Sequence, residues 1–469
     1  MTNIKYTPEE PIVAIATALA PSALGIVRCS GKNCIELLSQ IFSRPKALLE
    51  AKGNSIVYGW IPEIDEVLVS VFRAPKSFTG EDMIEISCHG GVHVVQSVFN
   101  LLLNNGFRAA EKGEFTFRAY INGKADLTKA EAVREIIDSK TNESQSRAAG
   151  RLAGNLYETI DGVKKQVIDT LAAIEVEIEY PEDEETIADS FDSSELEKVE
   201  ETLSELASSW KSEKIYQDGA RVVLCGRTNA GKSSLFNALL KEDRSIVSDI
   251  EGTTRDFIES WIDFSGIPAR LFDTAGLRQT DDAIEAVGVE RTKDLSSEAD
   301  LILYLVDSKI GLNEEDKSFI KEHVSVIASE ARQPTPLILV WNKCDTSSSV
   351  TSREVPVTAS ETNQSIPQVR ISAKKGIGLG ELSEAVKKAL SASEESARTS
   401  TALGSERQKK CVELALESVR HALSLTEEYA LDAVVQDLED SLDFLGEVTG
   451  DVTPEDILDS VFSHFCVGK

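Results

Sequence analysis

The segment Gly226-Arg227-Thr228-Asn229-Ala230-Gly231-Lys232-Ser233, followed by Ser234, has the composition of a loop built to hold phosphate. Its glycines let backbone N–H groups turn toward an anion, and a following helix presents its positive end to the same point. Lys232 brings a point charge to the outer phosphates, and the Ser233 hydroxyl suits a Mg²⁺ shell. Further along stands Asn342-Lys343-Cys344-Asp345. A carboxylate at Asp345 can accept from both the ring N–H and the exocyclic amine of guanine. Adenine offers no matching pair of donors, and a buried carboxylate left unpaired is costly. Ser372-Ala373-Lys374 can close over the base.

Between these motifs lie two sensors of the terminal phosphate. Asp273-Thr274-Ala275-Gly276 places a carboxylate behind the metal and the Gly276 N–H toward the γ-phosphate. Gly252-Thr253-Thr254-Arg255-Asp256 supplies Thr254, whose hydroxyl can ligate Mg²⁺ only while GTP is bound. Motifs of these types in this order predict a GTP hydrolase. The position after Asp273–Gly276, where many small GTPases carry a water-orienting Gln, is Leu277, so that role falls elsewhere. Asn229 offers an oxygen beside the α- and β-phosphates, where a monovalent cation could do the work of an arginine finger. Asp281, Asp282 and Glu285 are the acidic candidates downstream.

Apolar runs at residues 221–225, 269–272, 301–306, 337–341 and 369–371 alternate with helical segments. That alternation predicts a parallel sheet covered on both faces, an α/β P-loop domain over residues 219–380. Residues 1–122 mix short β-rich runs (11–17, 25–29, 66–72, 83–87) with turns, which predicts an α+β domain. Residues 123–218 and 381–469 read as helical. In the second block Val412, Leu416, Val419 and Leu423 make one apolar stripe, and Val435, Leu438, Leu442 and Leu445 another. Thr453 and Pro454 read as the N-cap and first position of a last helix. The two helical blocks are expected to form one discontinuous domain into which the GTPase domain is inserted.

The chain has 469 residues, enough for several domains, and 49 basic against 79 acidic residues give a net charge of −30. A broad electrostatic grip on nucleic acid or anionic lipid is thereby excluded, so contact with RNA needs a local patch or a partner. Cys29, Cys34, Cys88, Cys225, Cys344, Cys411 and Cys466 form no C-x-x-C pair and read as cytoplasmic thiols. No secretory leader is apparent, and no stretch approaches the ~20 apolar residues of a membrane span.

With these residues in hand, the chain resembles the tRNA-modification GTPase family MnmE, also called TrmE, over essentially its whole length. The resemblance rests on the P-loop, on residues 249–256 and on Asp273 to Arg278. More specific are Ser77-Phe78-Thr79-Gly80-Glu81-Asp82, His89-Gly90-Gly91, Gly113-Glu114-Phe115 with Arg118-Ala119, and residues 124–131. The tail Phe465-Cys466-Val467-Gly468-Lys469 is the most specific. The resemblance implies an N-terminal tetrahydrofolate-binding-like domain that also makes a homodimer. It implies a heterotetramer with the flavin-dependent protein MnmG (GidA), acting on tRNA. The reaction would place an aminomethyl-type group on carbon 5 of the wobble uridine (position 34), from a 5-formyl- or 5,10-methylene-type folate. It assigns K⁺ to Asn229, Ser248, Ile250 and Thr253, Mg²⁺ to Ser233 and Thr254, and water positioning to Glu285. Folate contacts map to Arg28, Glu85, Lys124 and Lys469, and Cys466 is a candidate thiol near the one-carbon chemistry. Departures are Thr228, where the family often has Pro, Phe117 in a stretch often polar, and Val467.

Plainer readings stand beside these. Arg28 and Glu85 could form a cross-strand ion pair, Lys124 a helix-surface charge, and His89 a turn residue. Two other functions fit parts of the sequence: a ribosome-assembly or translation switch GTPase, and a folate-dependent one-carbon transferase with a purely regulatory GTPase domain.

Overall fold

The computed structural model describes residues 10–179, 193–241, 259–273, 299–325, 335–346, 366–390, 401–426 and 430–468. The chain divides into two compact units. One comprises Met1–Arg134, Arg151–Ala207 and Glu406–Lys469, and the other Glu135–Gly150 and Ser208–Ser405. The architecture is multidomain, with an N-terminal α+β layer, a discontinuous set of helices and an inserted α/β P-loop domain.

The first unit opens with strands β1 (Ile12–Ile15), β2 (Leu24–Ser30), β3 (Ser55–Ile61), β4 (Asp65–Phe72), β5 (Met83–His89) and β6 (Arg108–Ala109). They form one sheet in the order β3-β4-β5-β2-β1-β6, antiparallel except for β1 beside β6. One face packs Val27, Val69 and Ile86 against Ile35 and Leu38 of one helix and Val95, Val98 and Leu102 of another. Strand β3 is absent from the sequence reading. Both of its faces carry apolar residues, so polar–apolar alternation is lost: Val57 and Ile61 point inward while Ile56, Tyr58 and Trp60 are exposed. Gly59 interrupts the run because the Phe42 ring occupies the space a Cβ would fill.

Beyond the helices of residues 34–138, this unit contains Asn155–Glu179, the first part of Ser193–Asp218, Glu406–Thr426, Leu431–Thr449 and Glu455–Ser463. Val412, Leu416 and Val419 are buried as their spacing requires. In the next helix the buried face is Val434, Leu438, Ser441, Leu445 and Val448, and Val435 and Leu442 only flank it. The last helix starts one residue later than expected. Pro454 is its N-cap, held at ψ 147 in extended backbone, and Thr453 lies outside. An ion pair joins the blocks: Arg407 donates to both Glu131 oxygens (3.1 and 2.8 Å) and to the Glu447 carbonyl (2.6 Å).

The second unit contains β7 (Ala220–Gly226), β8 (Glu259–Phe264), β9 (Ile267–Asp273), β10 (Leu301–Asp307), β11 (Leu337–Asn342) and β12 (Gln368–Arg370). Their order is β12-β11-β10-β7-β9-β8, parallel except for the β8–β9 hairpin. Alternate residues serve opposite faces. Val222, Leu224, Leu303 and Leu305 pack against the helices Lys232–Lys241 and Leu379–Leu390, whereas Val223, Cys225, Ile302 and Tyr304 pack toward Ile320. This unit also holds residues 135–150: Thr141 Oγ1 donates to the Gly266 carbonyl (2.8 Å), and the Arg147 guanidinium lies 3.9 Å from the Tyr216 ring centroid.

Candidate active site

Strand β7 ends at Gly226, and the helix Lys232–Lys241 begins with the lysine of the phosphate loop. The loop must therefore reverse within a few residues, and its dihedrals show how. Gly231 has φ +100 and a Cβ there would overlap the Asn342 amide, so glycine is required. Asn229 takes φ +63, a left-handed conformation uncommon for a side-chain-bearing residue and concentrated at functional sites. Lys232 is 8% exposed, and its Nζ donates to the carbonyls of Gly226 (2.7 Å) and Arg227 (3.0 Å), inside the curve of the loop. Ser233 and Ser234 are exposed at the positive end of the helix, and Ala230 is buried beneath it.

Asn342 closes strand β11 and is 2% exposed. Its Nδ2 donates to the Ala230 carbonyl (2.9 Å), and its Oδ1 accepts from the N–H groups of Lys343 (2.8 Å) and Ala373 (3.1 Å). Asn342 therefore ties the phosphate loop to the Ser372–Lys374 loop. Lys343 has φ +64, and its Nζ reaches the Asn229 carbonyl (2.8 Å) and Asp307 Oδ2 (2.7 Å). Asp345 Oδ1 accepts from the Ser372 hydroxyl (2.8 Å), and Lys375 Nζ stands 3.6 Å from Oδ2. The Ser372 hydrogen bond, aided by Lys375, holds the Asp345 carboxyl below the usual carboxylate range. A carboxylate kept ionised at the end of β11 is the acceptor that guanine needs. Lys374 is exposed on the same loop. β9 ends at Asp273, whose backbone is in register with Leu224 of β7.

The loops thus bring together Asn229, Ala230, Gly231, Lys232, Ser233, Asn342, Lys343, Asp345, Ser372 and Ala373. Ser248, Ile250, Thr253, Thr254, Thr274, Ala275, Gly276 and Glu285 lie outside the described residues, as does Lys469. Two residues went unread in the sequence. Asp307 ends the apolar run Leu301–Asp307, and a lone carboxylate closing a buried strand was its signal. Lys375 was hidden as the second of two adjacent lysines.

A second cluster lies in the first unit. Arg28 and Glu85 are directly opposed on β2 and β5, and Nε and Nη2 of Arg28 both engage Glu85 Oε1 (2.9 and 2.8 Å). The cross-strand ion pair is therefore real. Arg28 Nη1 also donates to the Gly468 carbonyl (3.2 Å), and its guanidinium stands 5.7 Å from both the Phe78 and Phe115 ring centroids. The tail reaches this point because Phe462 and Phe465 are buried with Leu127 and Ala130, while Val467 bridges to Lys112. Phe117 packs edge-on against Phe462 at 5.3 Å, so its apolar character serves the tail. Cys466 is exposed, and its carbonyl accepts from Gly113 N–H (3.5 Å). Lys124 is exposed, with its stem beside Gly80 of the Ser77–Asp82 loop. His89 is no idle turn residue: its Nδ1 pairs with Asp65 at 2.8 Å.

The family described as GTP-binding protein TrmE N-terminus matches residues 11–124, and the MnmE helical domain family matches residues 127–466. The chain belongs to the MnmE family. The tRNA modification GTPase MnmE of Treponema denticola is 51% identical over 99% of both chains, and that of Treponema pallidum 41% identical over 99% of both. The crystal structure of the T. maritima FeoB G domain is 25% identical, with a TM-score of 0.26, covering 36% of this chain and 98% of its own. As an MnmE-family member the chain is a tRNA modification GTPase that binds and hydrolyses GTP. Among the described residues no helix is long and apolar enough to cross a membrane.

Proposed function

We propose that this GTPase is potassium-dependent and, with the flavin-dependent protein MnmG, forms the aminomethyl-type modification at carbon 5 of uridine 34 in certain tRNAs. The observation that carries the cation dependence is Asn229. Its left-handed backbone, pinned at the carbonyl by Lys343, holds an exposed amide side chain at the apex of the phosphate loop. An amide oxygen so placed fits a monovalent cation, with Ser248, Ile250 and Thr253 completing its shell. Bound there, K⁺ would supply positive charge beside the phosphates, the work that gives an arginine finger roughly 10³–10⁵ in rate. Ser233, exposed at the head of its helix, fits Mg²⁺ together with Thr254. Glu285 orients the attacking water. GTP turnover should be much faster in potassium than in sodium, and Asn229→Ala should erase the difference; equal rates in both salts for the unaltered chain would end the cation reading.

The folate unit is proposed to lie on the sheet beside the tail. Arg28 engages Glu85 through Oε1, so Oε2 stands outside the pair and suits a pterin edge. Lys124, exposed beside the Ser77–Asp82 loop, and Lys469 would pair a folate glutamate, and Cys466 is the exposed thiol of the tail. The exposed Ile56, Tyr58, Trp60 and Leu68 on the outer face of β3 and β4 support a homodimer. The four sequence segments ending at residues 122, 218, 380 and 469 are proposed as its working domains. Mass analysis of wobble uridines from cells lacking the chain tests the whole reading. The modification should vanish, return with the unaltered chain, and fail to return with Asp273→Ala.

A further inference from the structure

Strands β10 and β11 run parallel with Asp307 in register with Asn342, so the two strands end side by side. The residue after Asn342 then turns through the left-handed region, which brings the Lys343 side chain back over the strand ends. Its ammonium sits between two acceptors from different parts of the chain, Asp307 Oδ2 at 2.7 Å and the Asn229 carbonyl at 2.8 Å. Asp307 is itself immobilised. Its Oδ1 accepts from the Lys309 N–H at 2.9 Å, and its side chain is 12% exposed.

We propose that Asp307 is a positioning residue for nucleotide binding, acting through Lys343 to hold the phosphate loop at Asn229. Three physical facts support this. A charge-assisted bond from a half-buried ammonium is stronger than a neutral one, so Asp307 rather than water decides where Nζ rests. The left-handed backbone at Asn229 is costly and persists only where the surroundings over-determine it, and Lys343 is the side chain that grips its carbonyl. A loop already set in its binding shape loses less freedom when phosphate arrives, so a loosened loop binds more weakly. The carboxylate's own charge is secure: burial pushes it up, but the bonds from Lys343 and the Lys309 N–H outweigh that and keep it below the ordinary range. The inference stands on the GTPase activity alone and is independent of the proposed cation and folate roles.

The test is the affinity of the full chain for a fluorescent GDP analogue. Asp307→Asn should weaken binding about tenfold, and Asp307→Glu should restore it to within about threefold. In a Lys343→Met background Asp307→Asn should change affinity by less than about twofold, because its effect passes through the missing ammonium. The thermal midpoint of the nucleotide-free protein should be the same for Asp307→Asn and the unaltered chain. Unchanged affinity in Asp307→Asn would overturn the proposal. So would a tenfold loss that persists in the Lys343→Met background, or one accompanied by a lowered midpoint, since either marks Asp307 as a fold residue.

Discussion

In the nucleotide cradle Lys343 and Asp307 meet across 36 residues of chain, whereas in the tail-bearing sheet Arg28 and Gly468 meet across 440. Both clusters use a cation shared between a carboxylate and a backbone carbonyl. In the cradle each partner stands at or just beyond the end of a strand, and parallel strands bring those ends together whatever lies between. In the sheet the last link depends on a chain end packed in place by buried aromatic rings. One site is positioned by topology, the other by side-chain packing.

Substitutions can break that contrast. Phe462→Ala removes a ring with no exposure that touches Phe117 and Phe465, and should cost about 3–5 kcal/mol of stability. Its GDP affinity should stay within about twofold of normal. A thermal melt run beside a binding titration reads both, and a collapse of GDP binding would show that the cradle also depends on the tail. Asn342→Ala should do the reverse. It deletes bonds to Ala230, Lys343 and Ala373, and should weaken GDP by a factor on the order of 30 to 100, about 2–3 kcal/mol. Affinity retained in that variant would mean that the loops are held by strand topology without the side-chain tie.

A smaller effect is expected at Arg28. Replacing it with Met leaves Glu85 unpaired and frees the Gly468 carbonyl, for a loss of about 1–3 kcal/mol. Carboxypeptidase should then trim the tail faster; an unchanged trimming rate would place the tail's anchor wholly in Phe462 and Phe465. The smallest effect belongs to His89. Its hydrogen bond to Asp65 raises the imidazole pKa above 6.5, so the pair's contribution is present below 6.5 and fades as pH rises through the raised value. Burial pushes Asp65 up but His89 pulls it down further, below 3.8, so its contribution is lost as acid protonates the carboxylate. Stability from the pair is thus greatest between 3.8 and 6.5. An NMR titration of His89 giving a midpoint at or below 6.5 would show that the pair does not form in solution.

The parallel strands β7, β9, β10, β11 and β12 were readable because buried parallel strands tend to be apolar runs, whereas β8, the antiparallel edge strand of the hairpin, went unread. Strand β3 escaped because its exposed face is apolar, and Pro454 was misplaced by one position because capping depends on ψ, which residue type does not set. Arg28 and Glu85 were legible as a possible pair from their strand-like surroundings, but their link to the tail had no local signal.

The residue types and their order determined by themselves that this chain grips a guanine nucleotide, since phosphate loops and base-reading loops are short, contiguous and chemically demanding. Only the tertiary structure decided which cation answers which anion: that Lys343 bridges Asp307 and Asn229, that Asn342 ties loops, and that Arg28 holds the chain end. Opposite charges attract without regard to sequence distance, so their pairing follows from where packing and strand register deliver them.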